Sequence, residues 1–164
     1  MDRQTQLPKV GIGRRCGAIE ANISGYRSLM TDEEYEELTS LAKSLQGVKI
    51  CHVNSTAAGG GVAELLARYI PMLQALGVRA DWRLIHGEPE FFSITKAFHN
   101  ALQGGHYGLG KTEQDLYLKV NERSAKALGN DYDLYIVHDP QPAAIRHFAG
   151  PREDKCICHC DSDS

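Results

Sequence analysis

Apolar positions along the chain alternate between two spacings, one helical and one of strand type. Leu38, Leu41, Ala42 and Leu45 recur at helical spacing up to Gly47, and Thr31-Asp32-Glu33-Glu34 ahead of them fits a capping box with acids crowding the first turn. Val48-Lys49-Ile50-Cys51-His52-Val53 then reads as a strand. Val62, Leu65, Leu66, Tyr69, Ile70, Leu73 and Leu76 form a long helical stripe that Gly77 closes, with Pro71 inside it as an expected kink. A second strand is predicted from Val78 to His86, broken by Gly87-Glu88-Pro89. Phe91, Phe92, Ile94, Thr95, Phe98, Ala101 and Leu102 support a short helix ending at Gly104-Gly105. A third helix is predicted from Thr112 as N-cap to Gly129. Asp133 to Asp139 is a buried strand stopped by Pro140 and Pro142, and Lys155 to Cys160 a final short one. Strands alternating with helices predict an α/β fold with a parallel sheet and flanking helices. Residues 1–25, with Gly11, Gly13 and Gly17 scattered among Arg14 and Arg15, show no period and read as an irregular N-terminal arm.

Composition narrows the partners. The 164 residues carry 18 Lys+Arg against 21 Asp+Glu, a formal net charge of -3, and no basic stripe follows any predicted helix face, so no nucleic-acid partner is expected. The apolar runs are too short to span a membrane, and Met1-Asp2-Arg3-Gln4-Thr5-Gln6 lacks the apolar core of a signal peptide. The expectation is a cytoplasmic protein whose five cysteines stay reduced.

Candidate chemistry collects where the strands end. In an open parallel sheet, ligands bind outside the carboxyl ends of the strands. Asn54-Ser55-Thr56 and Gly59-Gly60-Gly61 follow the first strand, with Glu64 in the next helix. His86-Gly87-Glu88 follow the second, His138-Asp139-Pro140-Gln141 the third, and His159 with Asp161 the fourth. The glycine turn brings backbone N–H groups at a helix N-terminus close to an anionic or polyhydroxylic ligand. Its spacing is neither Gly-x-Gly-x-x-Gly nor a Walker loop, and a plain tight turn accounts equally well for it. His138-Asp139 pairs an imidazole with a carboxylate, which suits hydrogen bonding to sugar hydroxyls. His99-Asn100 fall on the polar face of the short helix and could join the same cleft or lie on a solvated face.

Cys156, Cys158, His159 and Cys160 suggest zinc, yet strand alternation puts the cysteines on one face and His159 on the other. Buried, small apolar cysteines are the favoured reading, and no metal site is assigned.

Several ordered stretches carry a resemblance. They are His52-Val53-Asn54-Ser55-Thr56-Ala57 with Gly59-Gly60-Gly61-Val62-Ala63-Glu64, Glu90-Phe91-Phe92 with Thr95-Lys96 and Phe98 to Gly104, His138-Asp139-Pro140-Gln141-Pro142, and Cys158-His159-Cys160-Asp161. Together they resemble the glycosyl-transferring trehalose synthases, retaining glycosyltransferases of family 4 with the GT-B fold, from about Tyr26 to Asp161. The resemblance implies that residues 26–164 are an incomplete N-terminal, Rossmann-like, acceptor-side domain, with the C-terminal nucleotide-sugar domain absent. It implies transfer of glucose from a nucleoside diphosphate glucose to a second glucose with retention, and no cofactor beyond that donor. Carried over, Gly59, Gly60 and Gly61 approach the donor phosphates or the transferred glucose, and His138 and Asp139, the catalytic candidates, sit against the sugars. Asn54, Glu64, His99, Asn100, Gln141, His159 and Asp161 are further binding candidates.

The chain alone is then expected to be inactive, with a complementing C-terminal half or self-association through the sheet edge as expected partners. Alternatives are a half of trehalose phosphorylase type, a non-catalytic sugar- or nucleotide-binding module, and a metal- or redox-responsive protein using the terminal cysteines.

Overall fold

Strand and helix alternate throughout the computed structural model, which describes residues 6–11, 23–150 and 156–160. The elements run α1 (Ile23–Arg27), α2 (Asp32–Ser44), β1 (Lys49–Asn54), α3 (Gly61–Ala75), β2 (Arg79–Leu84), α4 (Pro89–Leu102), α5 (Lys111–Leu128), β3 (Leu134–His138), α6 (Ile145–Ala149) and β4 (Cys156–Cys160). The strands make one sheet in the order β2-β1-β3-β4, every neighbouring pair parallel. This is the Rossmann-like α/β arrangement that the alternating pattern predicts.

Central position explains the composition of β1. Every residue from Ile50 to Asn54 is buried, because helices cover both faces and neighbours flank both edges. Alternation still sorts the side chains. Ile50 packs with Ala80, Trp82, Leu66 and Ile70 on the α3 side, while Cys51 and Val53 pack with Phe91, Tyr135 and Ile145 on the α4–α6 side. Burial pushes the Cys51 thiol up to about 12, so it is a protonated, inert filler at neutral pH.

Local signals decide the helix ends. Thr31 caps α2 as expected: its Oγ1 accepts from the Glu34 N–H at 3.2 Å, and Glu34 Oε2 accepts from the Thr31 N–H at 2.8 Å. The start of α5 differs from the sequence expectation. Gly110 is the N-cap and Thr112 lies inside the first turn, because Glu113 Oε2 accepts from the Gly110 N–H at 2.7 Å while Glu113 Oε1 accepts from the Tyr107 hydroxyl. α3 continues through Pro71, and the α1 and α6 helices, five residues each, are too short to show a period in sequence.

Part of the segment without period is seated. Leu7 is 1% exposed, the Leu84 N–H donates to Pro8 O, and the Val10 N–H donates to Trp82 O, so this piece runs antiparallel along the outer edge of β2. Lys9 adds an ion pair to Asp81 at 2.6 Å, and Arg83 Nη1 donates to Leu7 O. Among the described residues no helix is long and apolar enough to cross a membrane.

Candidate functional site

β1 ends in a loop that its own last residue holds. The Asn54 carboxamide is 1% exposed: its Oδ1 accepts from Trp82 Nε1 at 2.6 Å and its Nδ2 donates to Thr56 O at 2.8 Å. Thr56 carries the order one step further, its Oγ1 accepting from the Ala58 N–H. Asn54 is therefore committed inside the protein, where it shapes the entry to the glycine turn.

The turn itself needs glycine at two of its three positions. Gly59 has φ 76° and Gly60 has φ 102° with ψ 153°, regions that side-chain-bearing residues avoid. Gly61 has no such demand and begins α3. A Cβ added at any of the three would meet no heavy atom within 4 Å, so open space lies over the turn. The first N–H groups of α3 have no partner within the helix, and its dipole is positive at this end. Glu64 stands exposed in the same first turn.

β3 brings His138 and Asp139 to the same end of the sheet, since Val53 and Val137 are register partners. His138 is 4% exposed, and Asp139 beside it is half-buried with φ 65°, the only described non-glycine residue in the left-handed region. Such strain persists where surrounding structure over-determines it. Here α5 supplies the constraint: the Tyr117 hydroxyl donates to Pro140 O at 2.8 Å, and Asn121 Nδ2 donates to Gln141 O at 3.1 Å. The Gln141 side-chain oxygen is buried without a hydrogen-bond partner among the described residues.

His52 is a member of this group that the residue pattern alone did not single out. It is 2% exposed, its ring stacks on His138 at 5.2 Å between centroids, and its Nδ1 lies 2.9 Å from His138 Nε2. Tyr69 of α3 meets it edge-on. Burial, with the neighbouring His138 second, pushes the His52 imidazole down to about 4, so it is neutral at physiological pH. The signal in sequence was a histidine on the same strand face as Asn54, in a strand otherwise apolar on that face.

The remaining candidates divide. His99, half-buried, and Asn100, exposed, lie on α4 beside an apolar groove of about 430 Å³ between Phe98, Tyr107, Tyr117 and Pro140, which reaches the β3 end of the rim. A groove of about 480 Å³, lined also by Asp81, lies at the opposite edge, where Lys49 and Arg79 begin their strands, away from the glycine turn. His159 pairs in register with Val137, but its side chain, like Asp161, lies outside the described residues. At the β2 end, Gly87 is fixed by packing, since a Cβ there would come within 2.7 Å of the Phe92 ring.

An all-parallel sheet with its glycine turn, His138, Asp139 and Gln141 gathered at the strands' C-terminal ends defines a Rossmann-like α/β domain. Residues 52–164 match the family described as "Trehalose synthase, N-terminal domain". The chain is 43% identical over 131 residues to the trehalose synthase of Rubrobacter xylanophilus, covering 78% of this chain and 32% of that protein. It is 42% identical over 146 residues to the trehalose synthase of Pyrococcus horikoshii, covering 87% and 35%. A trehalose phosphorylase of Pleurotus pulmonarius is 36% identical over 109 residues, covering 59% and 15%. The chain belongs to the trehalose synthase N-terminal domain family, and it spans about a third of the length of the trehalose synthases it matches.

Proposed function

We propose that this chain forms the sugar-acceptor wall of a retaining hexosyltransferase that makes trehalose from a nucleoside diphosphate glucose and glucose. The observation that carries the reading is the open space over Gly59-Gly60-Gly61 at the same rim as Asp139 and Gln141. Backbone N–H groups at the start of α3 can bind the oxygens of a sugar or a departing diphosphate without moving, which is where charge develops in glycosyl transfer. Glu64 sharpens the choice. A carboxylate in that first turn repels a phosphate bound directly there, whereas it accepts readily from sugar hydroxyls, so the turn faces the hydroxyls of glucose more than the phosphates of the donor. Asp139 adds an acceptor for further hydroxyls, and the buried Gln141 oxygen, without a partner among the described residues, stands behind it.

The glycines separate ligand approach from folding. Gly61→Ala is expected to leave the unfolding free energy within about 0.5 kcal/mol or raise it, because the backbone and the space allow a methyl group and alanine favours helix. Its affinity for glucose, read by calorimetric titration, is expected to fall tenfold or more. Gly60→Ala strains the turn by about 1–3 kcal/mol as well. Unchanged glucose affinity in Gly61→Ala would leave the turn a folding element only, and no heat from glucose, trehalose or nucleoside diphosphates with the parent chain would sink the reading.

The likeness to trehalose phosphorylase supports a second reading, in which the completed site uses inorganic phosphate against trehalose. A titration arm with phosphate and trehalose together, tighter than either alone, would favour it.

A further inference from the structure

We infer that Tyr117 and Asn121 of α5 are positioning residues: they grip the two carbonyls that follow Asp139 and so hold Asp139 at the rim in the left-handed conformation in which it meets a ligand. The effect on affinity rests on the sugar-binding reading above, but the backbone geometry does not.

Asp139 departs from ordinary backbone on two counts. Its φ of 65° lies in the left-handed region, which aspartate tolerates better than most residues and still visits seldom. Pro140 follows it, and the pyrrolidine ring pushes the residue before a proline toward extended backbone with negative φ. Left to its own preferences this segment would extend, so contacts from outside it keep the observed conformation.

Both contacts come from one face of α5, where Tyr117 and Asn121 stand one turn apart. A carbonyl can only accept, so the Tyr117 hydroxyl commits its proton to Pro140 O at 2.8 Å. The Asn121 carboxamide faces two carbonyls, Tyr117 O at 3.0 Å and Gln141 O at 3.1 Å, and only its NH₂ end can donate to both. Each donor is therefore assigned by its acceptors alone. Asn121 is 1% exposed, so bulk water does not compete for these bonds. The Tyr117 ring is fixed in turn by α4: Phe91 stacks on it at 6.1 Å between centroids and Phe98 meets it edge-on at 5.1 Å.

The consequence for the rim is indirect. Both donors are committed within the protein, and α5 acts on a ligand through residues 139–141. A carboxylate already held in place spares the ligand the cost of ordering it, so release of the grip weakens binding even where no contact to the ligand is removed.

Backbone scalar couplings of Asp139, measured by NMR on the 164-residue chain labelled with ¹³C and ¹⁵N and with no ligand present, read the sign of φ. A positive φ is expected in the parent chain. Tyr117→Phe keeps the ring and its packing, and is expected to move the Asp139 couplings toward extended values. Asn121→Ala is expected to do the same, and should its buried position prevent folding, Tyr117→Phe decides. A negative φ in the parent, or parent-like couplings in Tyr117→Phe, overturns the inference. Titration of the amide shifts with glucose then separates positioning from packing. Tyr117→Phe is expected to weaken glucose binding about tenfold in the parent chain. Glycine keeps a positive φ without a grip, so in an Asp139→Gly background, which lacks the carboxylate, the same substitution is expected to change affinity less than about twofold. An equal tenfold loss in both backgrounds places Tyr117 at the ligand or in the general packing and also overturns it. Should glucose fail to bind the parent chain, the sugar-binding reading fails, and the couplings alone decide whether Tyr117 and Asn121 hold Asp139.

Discussion

Asn54→Ala is expected to destabilise the domain by about 2–4 kcal/mol, although the residue stands at the mouth of the site. Two buried or half-buried partners lose their bonds at once: the Trp82 Nε1–H, in a side chain 2% exposed, and the Thr56 carbonyl. Each stranded group costs about 1–3 kcal/mol, and removal of the carboxamide adds a small void beside the indole. Denaturant titration reads this as a lower midpoint at unchanged slope. A cycle with Trp82→Phe isolates the pair, since the second substitution removes a donor that the first has already left without an acceptor. The double variant is expected to be less destabilised than the sum of the singles by about 1 kcal/mol or more. Additive losses would mean that the 2.6 Å contact contributes nothing beyond packing. Loosening of Thr56 also releases the approach to Gly59-Gly60-Gly61, so ligand affinity is expected to fall with stability.

Acid should weaken the fold well before its carboxylates are titrated. His52 takes up a proton near pH 6.5 when unfolded but only near pH 4 when folded. Between those values the unfolded chain binds a proton that the folded chain refuses, so stability is complete above pH 6.5 and declines as pH falls toward 4. The gap corresponds to about 3 kcal/mol for this one group. A second loss belongs to lower pH. Burial by itself would raise the Asp81 carboxyl, but hydrogen bonds from Lys9 and Tyr132 outweigh it and hold the group below its ordinary range. Hydrogen bonds from Thr31 do the same for Glu34. Equilibrium unfolding measured at half-unit pH steps is expected to show the first decline in the parent chain and to lose it in His52→Asn. A flat stability between pH 6.5 and 4.5 would contradict the buried neutral histidine.

What could be read from the sequence follows the range of the interactions. The capping box at Thr31 and the run into β1 depend on residues within a turn of each other, and both appear as expected. The start of α5 shifts to Gly110 because Glu113 closes the cap with a backbone N–H, a choice among neighbours that Thr112 only seemed to settle. Leu7 gave no signal, since it is buried in the cluster with Cys51, Ala125, Leu128 and Tyr132 and tied by its backbone to Ala127 and Arg83, all far along the chain. The same distance hid the two buried polar contacts of the site. Asn54 reads as a free polar residue at a strand end until Trp82 is placed beside it. His52 reads as one more strand residue until β3 brings His138 within 2.9 Å. The Gly59-Gly60-Gly61 turn was legible as a turn, but only φ and the surrounding space distinguish the two glycines that the backbone demands from the third.

The short antiparallel seat of Pro8, Lys9 and Val10 gives the sheet a direction of growth. Their hydrogen bonds occupy the C-terminal half of the outer edge of β2, the half nearest the rim, while β4 at the other margin pairs only with β3 among the described strands. Among the described residues, a further strand meets an edge along β4 that no other strand pairs, whereas half of the β2 edge is already taken. Extension on that side lengthens the rim past His138 and leaves the glycine turn where it stands, so the binding surface can be enlarged without being rebuilt.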